Sequence, residues 1–181
     1  MRRLLLALGL ALAAPPAVAQ PAPGQLTVNE FVQSSMAGLQ FMVEASEMAA
    51  ERAVREDVQN LAATIRDAHR AMARDLLAAM ELAGKEVDPG LREMFRDGYQ
   101  RAADAVALDE ALAEQLRALG DLDEDFEAAY LRAMADGHES AKRWWSRYAY
   151  DSEDETVRLF ADHALLTIRE LAEAVARLRG A

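Results

Sequence analysis

The chain has 181 residues, no cysteine, and 31 acidic against 20 basic side chains, for a net charge of −11. Without cysteine there is no disulfide staple, no thiolate chemistry and no lipid-accepting cysteine, and the acidic field argues against nucleic acid and anionic membrane as partners. A chain of this size suits one domain held by an apolar core.

Met1, Arg2 and Arg3 precede an apolar run from Leu4 to Ala14, then Pro15, Pro16 and the small-residue pattern Ala17-Val18-Ala19. This pattern predicts a secretory signal peptide over 1–19, cut after Ala19, and a periplasmic or secreted product. The run is shorter than the ~20 residues a helix needs to cross hydrocarbon, so no membrane span is expected once the leader is gone. Arg2 and Arg3 leave with it, so 18 basic side chains face 31 acidic ones and the net charge becomes −13. Residues 20–26, with Pro21, Pro23 and Gly24, read as a tether, and 27–180 as a single helical domain.

Thr27 and Glu30 have capping-box spacing. Val28, Phe31, Val32, Ser35, Leu39, Met42, Val43, Ser46 and Ala49 then recur at helical intervals, while Glu30, Glu44, Glu47 and Glu51 fall opposite or to one side, which predicts helix one. After a charged break at Arg55 to Asp57, a second stripe runs through Val58, Leu61, Ala62, Ile65, His69, Met72, Leu76, Ala79 and Met80. Gly84 stops it, and Asp88-Pro89 confirms the break.

The connection from Gly90 to Gly120 is predicted to carry two short helices, one around Leu91, Met94, Phe95 and Tyr99 and one around Leu108, Leu112, Leu116 and Leu119. The run Asp121-Leu122-Asp123-Glu124-Asp125 suits the positive end of helix three. It also alternates carboxylates like a calcium loop, but Phe126 and Arg132 stand where such a loop needs Gly and Glu.

The helix-three stripe is Phe126, Tyr130, Ala133, Gly137, Ala141, Trp144 and Tyr148, small in the middle, which invites close approach at Gly137. Ser152 and Glu155 form a second capping-box pattern ahead of helix four, with Val157, Phe160, Ala161, Ala164, Ile168, Leu171, Val175 and Leu178 inward. Leu159 and Leu166 lie on its opposite face and suggest a cover, a protein partner or a homodimer contact. No β pattern occurs, so the fold class expected is all-α, an antiparallel four-helix bundle with short extra helices between helices two and three.

Dimetal bundles use Glu-x-x-His on two helices, yet the residues three before the histidines are Arg66, Ala135 and Phe160. His69 lies on an apolar face, where a lone histidine reads as a neutral, hydrogen-bonded core residue or as an inward ligand. His138 sits a quarter turn off its stripe, and His163 reads as a surface residue. Lys142, Arg143, Trp144, Trp145, Arg147, Tyr148 and Tyr150 form a basic aromatic cluster. Trp144 and Tyr148 are expected in the core, which leaves Trp145 and Arg147 as exposed candidates for an anionic partner. No nucleophile elbow, phosphate loop or paired-carboxylate motif is present.

Three stretches carry a family resemblance: Glu44-Ala-Ser-Glu-Met-Ala-Ala-Glu-Arg-Ala53 followed by Val58, Leu61-Ala-Ala-Thr-Ile-Arg-Asp-Ala-His69, and Phe126-Glu-Ala-Ala-Tyr-Leu-Arg-Ala-Met-Ala-Asp-Gly-His138. They resemble domain of unknown function 4142, exported bacterial proteins of ferritin-like helical build. That resemblance implies a polar cluster formed by a Glu in helix one, Asp-His in helix two, a His in helix three and a late His in helix four. Here His69 and His138 stand in place, while Met42, Ala68 and Leu171 occupy the other positions. The expectation is an exported helical-bundle protein with a structural, stress-related or interaction role, without catalysis and without a cofactor. The alternative is a divergent ferritin-like binder of a transition metal or small molecule, in which His69 and His138 meet with help from Glu47 or Tyr130.

Overall fold

The capping pattern at Thr27 is realised. Its hydroxyl accepts from the Glu30 amide (3.2 Å) and the Glu30 carboxylate accepts from the Thr27 amide (3.0 Å), so two amides of the first turn are satisfied. The structure, a computed structural model, describes residues 27–86, 108, 110–152 and 154–180. The leader and tether expected over 1–26, and the helix expected around Leu91 to Tyr99, fall outside the described residues.

Among the described residues five helices follow in order: α1 (Val28–Arg52), α2 (Glu56–Leu82), α3 (Glu110–Gly120), α4 (Phe126–Asp151) and α5 (Glu155–Arg179). The same residues contain no strand, so the fold is all-α, and none of these helices is long and apolar enough to cross a membrane.

Every member of the predicted α2 stripe is buried, His69 included. Gly84 ends that helix at φ +66°. Its amide bonds to the Glu81 carbonyl (3.0 Å) and the Lys85 amide to the Met80 carbonyl (2.9 Å), the paired closure that a left-handed residue permits and glycine adopts at least cost. α5 begins differently from expectation. Asp154, not Ser152, caps it by accepting from the Val157 amide (3.1 Å), and the Ser152 hydroxyl accepts from the Asp154 amide (3.2 Å). Ser152 is already committed to closing α4, through its own amide on the Tyr148 carbonyl.

Two apolar clusters make the core. One joins Phe31, Met36 and Leu39 of α1 to Met72, Leu76 and Met80 of α2, Trp145 and Tyr148 of α4, and Val157 and Ile168 of α5. The other joins Phe41 and Ala49 of α1 to Val58 and Ile65 of α2, Phe126 and Met134 of α4, and Leu171 and Val175 of α5. The first half of α1 thus meets the second half of α2, and the last part of α4 meets the first part of α5, so each pair runs antiparallel. α1 and α5 each pack on both α2 and α4, which leaves α2 and α4 facing each other diagonally.

α1 is buried nearly all round. Glu44, expected on its polar side, is 6% exposed and accepts a hydrogen bond from Gln40 (2.9 Å). α3 also packs on α1, with Leu119 buried and Leu112 and Leu116 leaning on the second cluster. Leu159 and Leu166 on α5 are exposed, at 51% and 55%.

Candidate functional site

Helices α1 and α4 carry small residues where they face each other, Gly38 and Ser34 on one and Ala133, Gly137 and Ser140 on the other. Small side chains cannot fill the gap between two helices, and a cavity of about 910 Å³ opens there, walled further by α3 and floored by His69 of α2. Its wall includes Leu39, Phe41, Leu112 and Leu119, and its exposed members, the charged Asp136, Arg143 and Arg147 among them, form the mouth. The approach expected at Gly137 comes from a side chain: a Cβ added there would lie 2.2 Å from the Met42 methyl carbon.

His69 and His138 reach the centre from the diagonal helices α2 and α4. Their rings lie 5.2 Å apart at the centroids, inclined by 63°. Each is essentially fully buried. His69 Nδ1 lies 2.8 Å from the Ile65 carbonyl and His138 Nδ1 lies 2.7 Å from the Met134 carbonyl, in both cases one turn back on the same helix. A carbonyl oxygen only accepts, so each Nδ1 must carry the proton and donate it. Burial, reinforced by the neighbouring His138, pulls His69 down to about 3, and burial lowers His138 against the opposing pull of the Met134 carbonyl. Both rings are therefore neutral at ordinary pH, and each Nε2 holds a lone pair and no hydrogen.

Among the described residues His138 Nε2, Ser35 Oγ and Trp144 Nε1 are buried without a hydrogen-bond partner; Ser35 and Trp144 line the cavity, although these two atoms are themselves closed off from it. Nearby, the Ser46 hydroxyl and the Tyr130 phenol are 3.0 Å apart and satisfy each other, and burial raises the Tyr130 pKa further above its ordinary value.

Of the three residues expected to share a metal, two come together and one does not. Glu47 is half-buried and engaged with Arg70 through an ion pair and hydrogen bond. Burial raises its pKa and Arg70 opposes that rise. Among the described residues no group of three or more His, Cys, Asp or Glu is placed to hold a metal ion. The carboxylate-rich donor set that a ferritin-like dimetal centre requires does not fit these residues, since Met42 and Leu171 fill two of the positions with buried apolar side chains.

The expected exposure of Trp145 is corrected. It is 2% exposed, edge-on to Phe31 (5.2 Å) and tilted against Phe160 (5.7 Å), while Phe31 stacks on Tyr148 (3.8 Å). Trp144, expected in the core, is half-buried on the cavity wall. α4 has two adjacent apolar strips, one through Phe126, Tyr130, Met134, His138, Trp145 and Tyr148 facing the core, the other through Ala133, Gly137 and Trp144 facing the cavity. Sequence periodicity merges the two. Arg147 is exposed at the cavity mouth and paired with Asp151 at 3.9 Å. His163 is exposed, as its position on α5 predicts.

A family model described as Domain of unknown function (DUF4142) matches residues 13–178, nearly the whole chain. No curated protein matches. No solved structure matches.

Proposed function

The chain belongs to the family described as Domain of unknown function (DUF4142), and we propose that this member is an exported, non-catalytic protein that holds a small, mainly apolar molecule in the cavity between α1, α3 and α4. Export rests on the leader pattern of residues 1–19, and the framework is read as a ferritin-like four-helix bundle, α1, α2, α4 and α5, with α3 as its cover. The carrying observation is a cavity of about 910 Å³ with a mainly apolar wall whose lining includes the buried His69, a ring with only its Nδ1 engaged among the described residues. Native interiors leave few buried polar atoms unpaired, and cavities of roughly 300–1,000 Å³ with an apolar wall and a few convergent polar groups are the usual form of a small-molecule site.

The test is titration of the mature protein with N-phenyl-1-naphthylamine, which fluoresces in apolar surroundings. Saturable binding at one probe per chain is expected. An Ala133→Trp variant, which fills the cavity from α4, should weaken it by roughly tenfold with an unchanged circular dichroism spectrum. Equal probe binding by the filled variant would count against the cavity.

The closeness of His69 and His138 favours a second reading, a transition metal held by two imidazoles. Metal analysis after dialysis separates the two: a stoichiometric metal, lost in both His69→Leu and His138→Leu, selects the metal site.

A further inference from the structure

His69 is the one ionisable group of the cavity floor, and its chemistry is restricted. Its Nδ1 proton is committed to the Ile65 carbonyl (2.8 Å), so the nitrogen left for an occupant is Nε2, and among the described residues that nitrogen has no hydrogen-bond partner. A neutral imidazole in this tautomer can accept through Nε2 and cannot donate. An occupant whose inner end is a carbonyl, ether or carboxylate would set lone pair against lone pair. An ammonium group would bring a charge against a ring that is 1% exposed, whereas the carboxylate of the cavity lining, Asp136, is exposed at the mouth. What remains is a neutral group with a hydrogen to give.

We propose that the cavity selects a neutral, hydroxyl-bearing apolar molecule, of the long-chain alcohol or alkylphenol class, whose O–H is donated to His69 Nε2 while its apolar body lies against Leu39, Phe41, Leu112 and Leu119. The neighbouring ring does not change this choice: His138, 5.2 Å from His69 between centroids, also carries its proton on Nδ1 and donates it to the Met134 carbonyl, so neither imidazole has an N–H left for an occupant. A site built to receive a hydroxyl rejects the analogue lacking it strongly, because its buried acceptor is then left unpaired.

This inference rests on the cavity-binding reading, and the experiment separates the two. Para-octylphenol and its methyl ether differ by one hydrogen-bond donor and are almost equal in shape. Each is used to displace N-phenyl-1-naphthylamine from the mature protein. The phenol is expected to bind roughly tenfold or more tightly than the ether, and that preference should vanish in His69→Leu and return in part in His69→Gln, whose amide oxygen restores an acceptor.

The preference should also hold constant between about pH 7.5 and 5, because the ring stays neutral. The titratable group that faces it is His138, which burial likewise holds below its ordinary value. Equal affinity for phenol and ether overturns the hydroxyl assignment and leaves the cavity reading standing. Failure of both to displace the probe removes the cavity reading itself. A preference that survives His69→Leu, or that collapses with a midpoint near 6.5, shows that the acceptor is some other group and sinks the proposal.

Discussion

His69 and His138 reach the folded interior without charge, and that has a cost at low pH. In the unfolded chain a histidine takes up a proton near its ordinary value of 6.5, whereas in the folded protein burial holds His69 at about 3 and His138 below its ordinary value. Unfolding therefore binds protons below pH 6.5, and stability must fall as pH drops through that window, by roughly 1 kcal/mol per pH unit for His69, with His138 adding in the same direction. Urea unfolding at about pH 7 and 5.5, above the ordinary carboxylate range, should show the loss, and a His69→Leu/His138→Leu double variant should flatten it. The Ser46–Tyr130 contact is a second buried polar pairing: Tyr130→Phe leaves the Ser46 hydroxyl short of its oxygen partner in the interior, and thermal melts should register a cost of about 1–2 kcal/mol. At this scale the inward aim of His69 was legible, because Ile65 and Met72 flank it on an unbroken apolar stripe. The exchange of Trp144 and Trp145 was not, because neighbouring positions differ by only about 100° around a helix and nothing in the sequence marks which strip a cavity will claim.

Helix ends followed short-range chemistry and were readable to the residue at Thr27 and Gly84. At α5 the pattern Ser152-x-x-Glu155 offered a box, but the competing Asp154 took the cap because Ser152 was needed two residues earlier to end α4. Asp154→Ala should therefore destabilise the protein by about 1 kcal/mol in chemical denaturation, more than Ser152→Ala does. Asp154 also meets Lys85 at 3.3 Å, so part of its loss is felt at the end of α2. Burial around α1 was less legible, since the helices that pack on it, α2, α3 and α4, come from later in the chain and periodicity within α1 does not reveal how much of its circumference they cover. Gly137 was readable as a close approach, though not as contact with a methionine. Gly137→Ala pushes the Met42 methyl group aside and should cost roughly 1–3 kcal/mol, and combining it with Met42→Ala should cost less than the two single changes added together, as a double-mutant cycle will measure.

Among the described residues the apolar interior is split into two clusters. Leu76 sits in one cluster and Ile65 in the other. Truncating either to Ala should cost about 2–5 kcal/mol, and because they lie about three turns apart with no shared neighbours, the double variant should show the simple sum within about 0.5 kcal/mol. The all-helical class and the antiparallel order were written in the stripes. The cavity was not, because a void is made by what small residues on two distant helices fail to fill. One end of the molecule is tied by polar contacts between distant segments. Arg52 donates to the carbonyls of Gly120 (2.8 Å) and Leu122 and lies over the Phe126 ring at 4.3 Å, while Glu127 accepts from the amides of Val54 (2.8 Å) and Arg55 (3.0 Å). The turn joining the first two helices is thus completed by groups from the second half of the chain. Neither hairpin is self-sufficient, and a newly made N-terminal half emerging alone would have to wait for its complement before that corner could set.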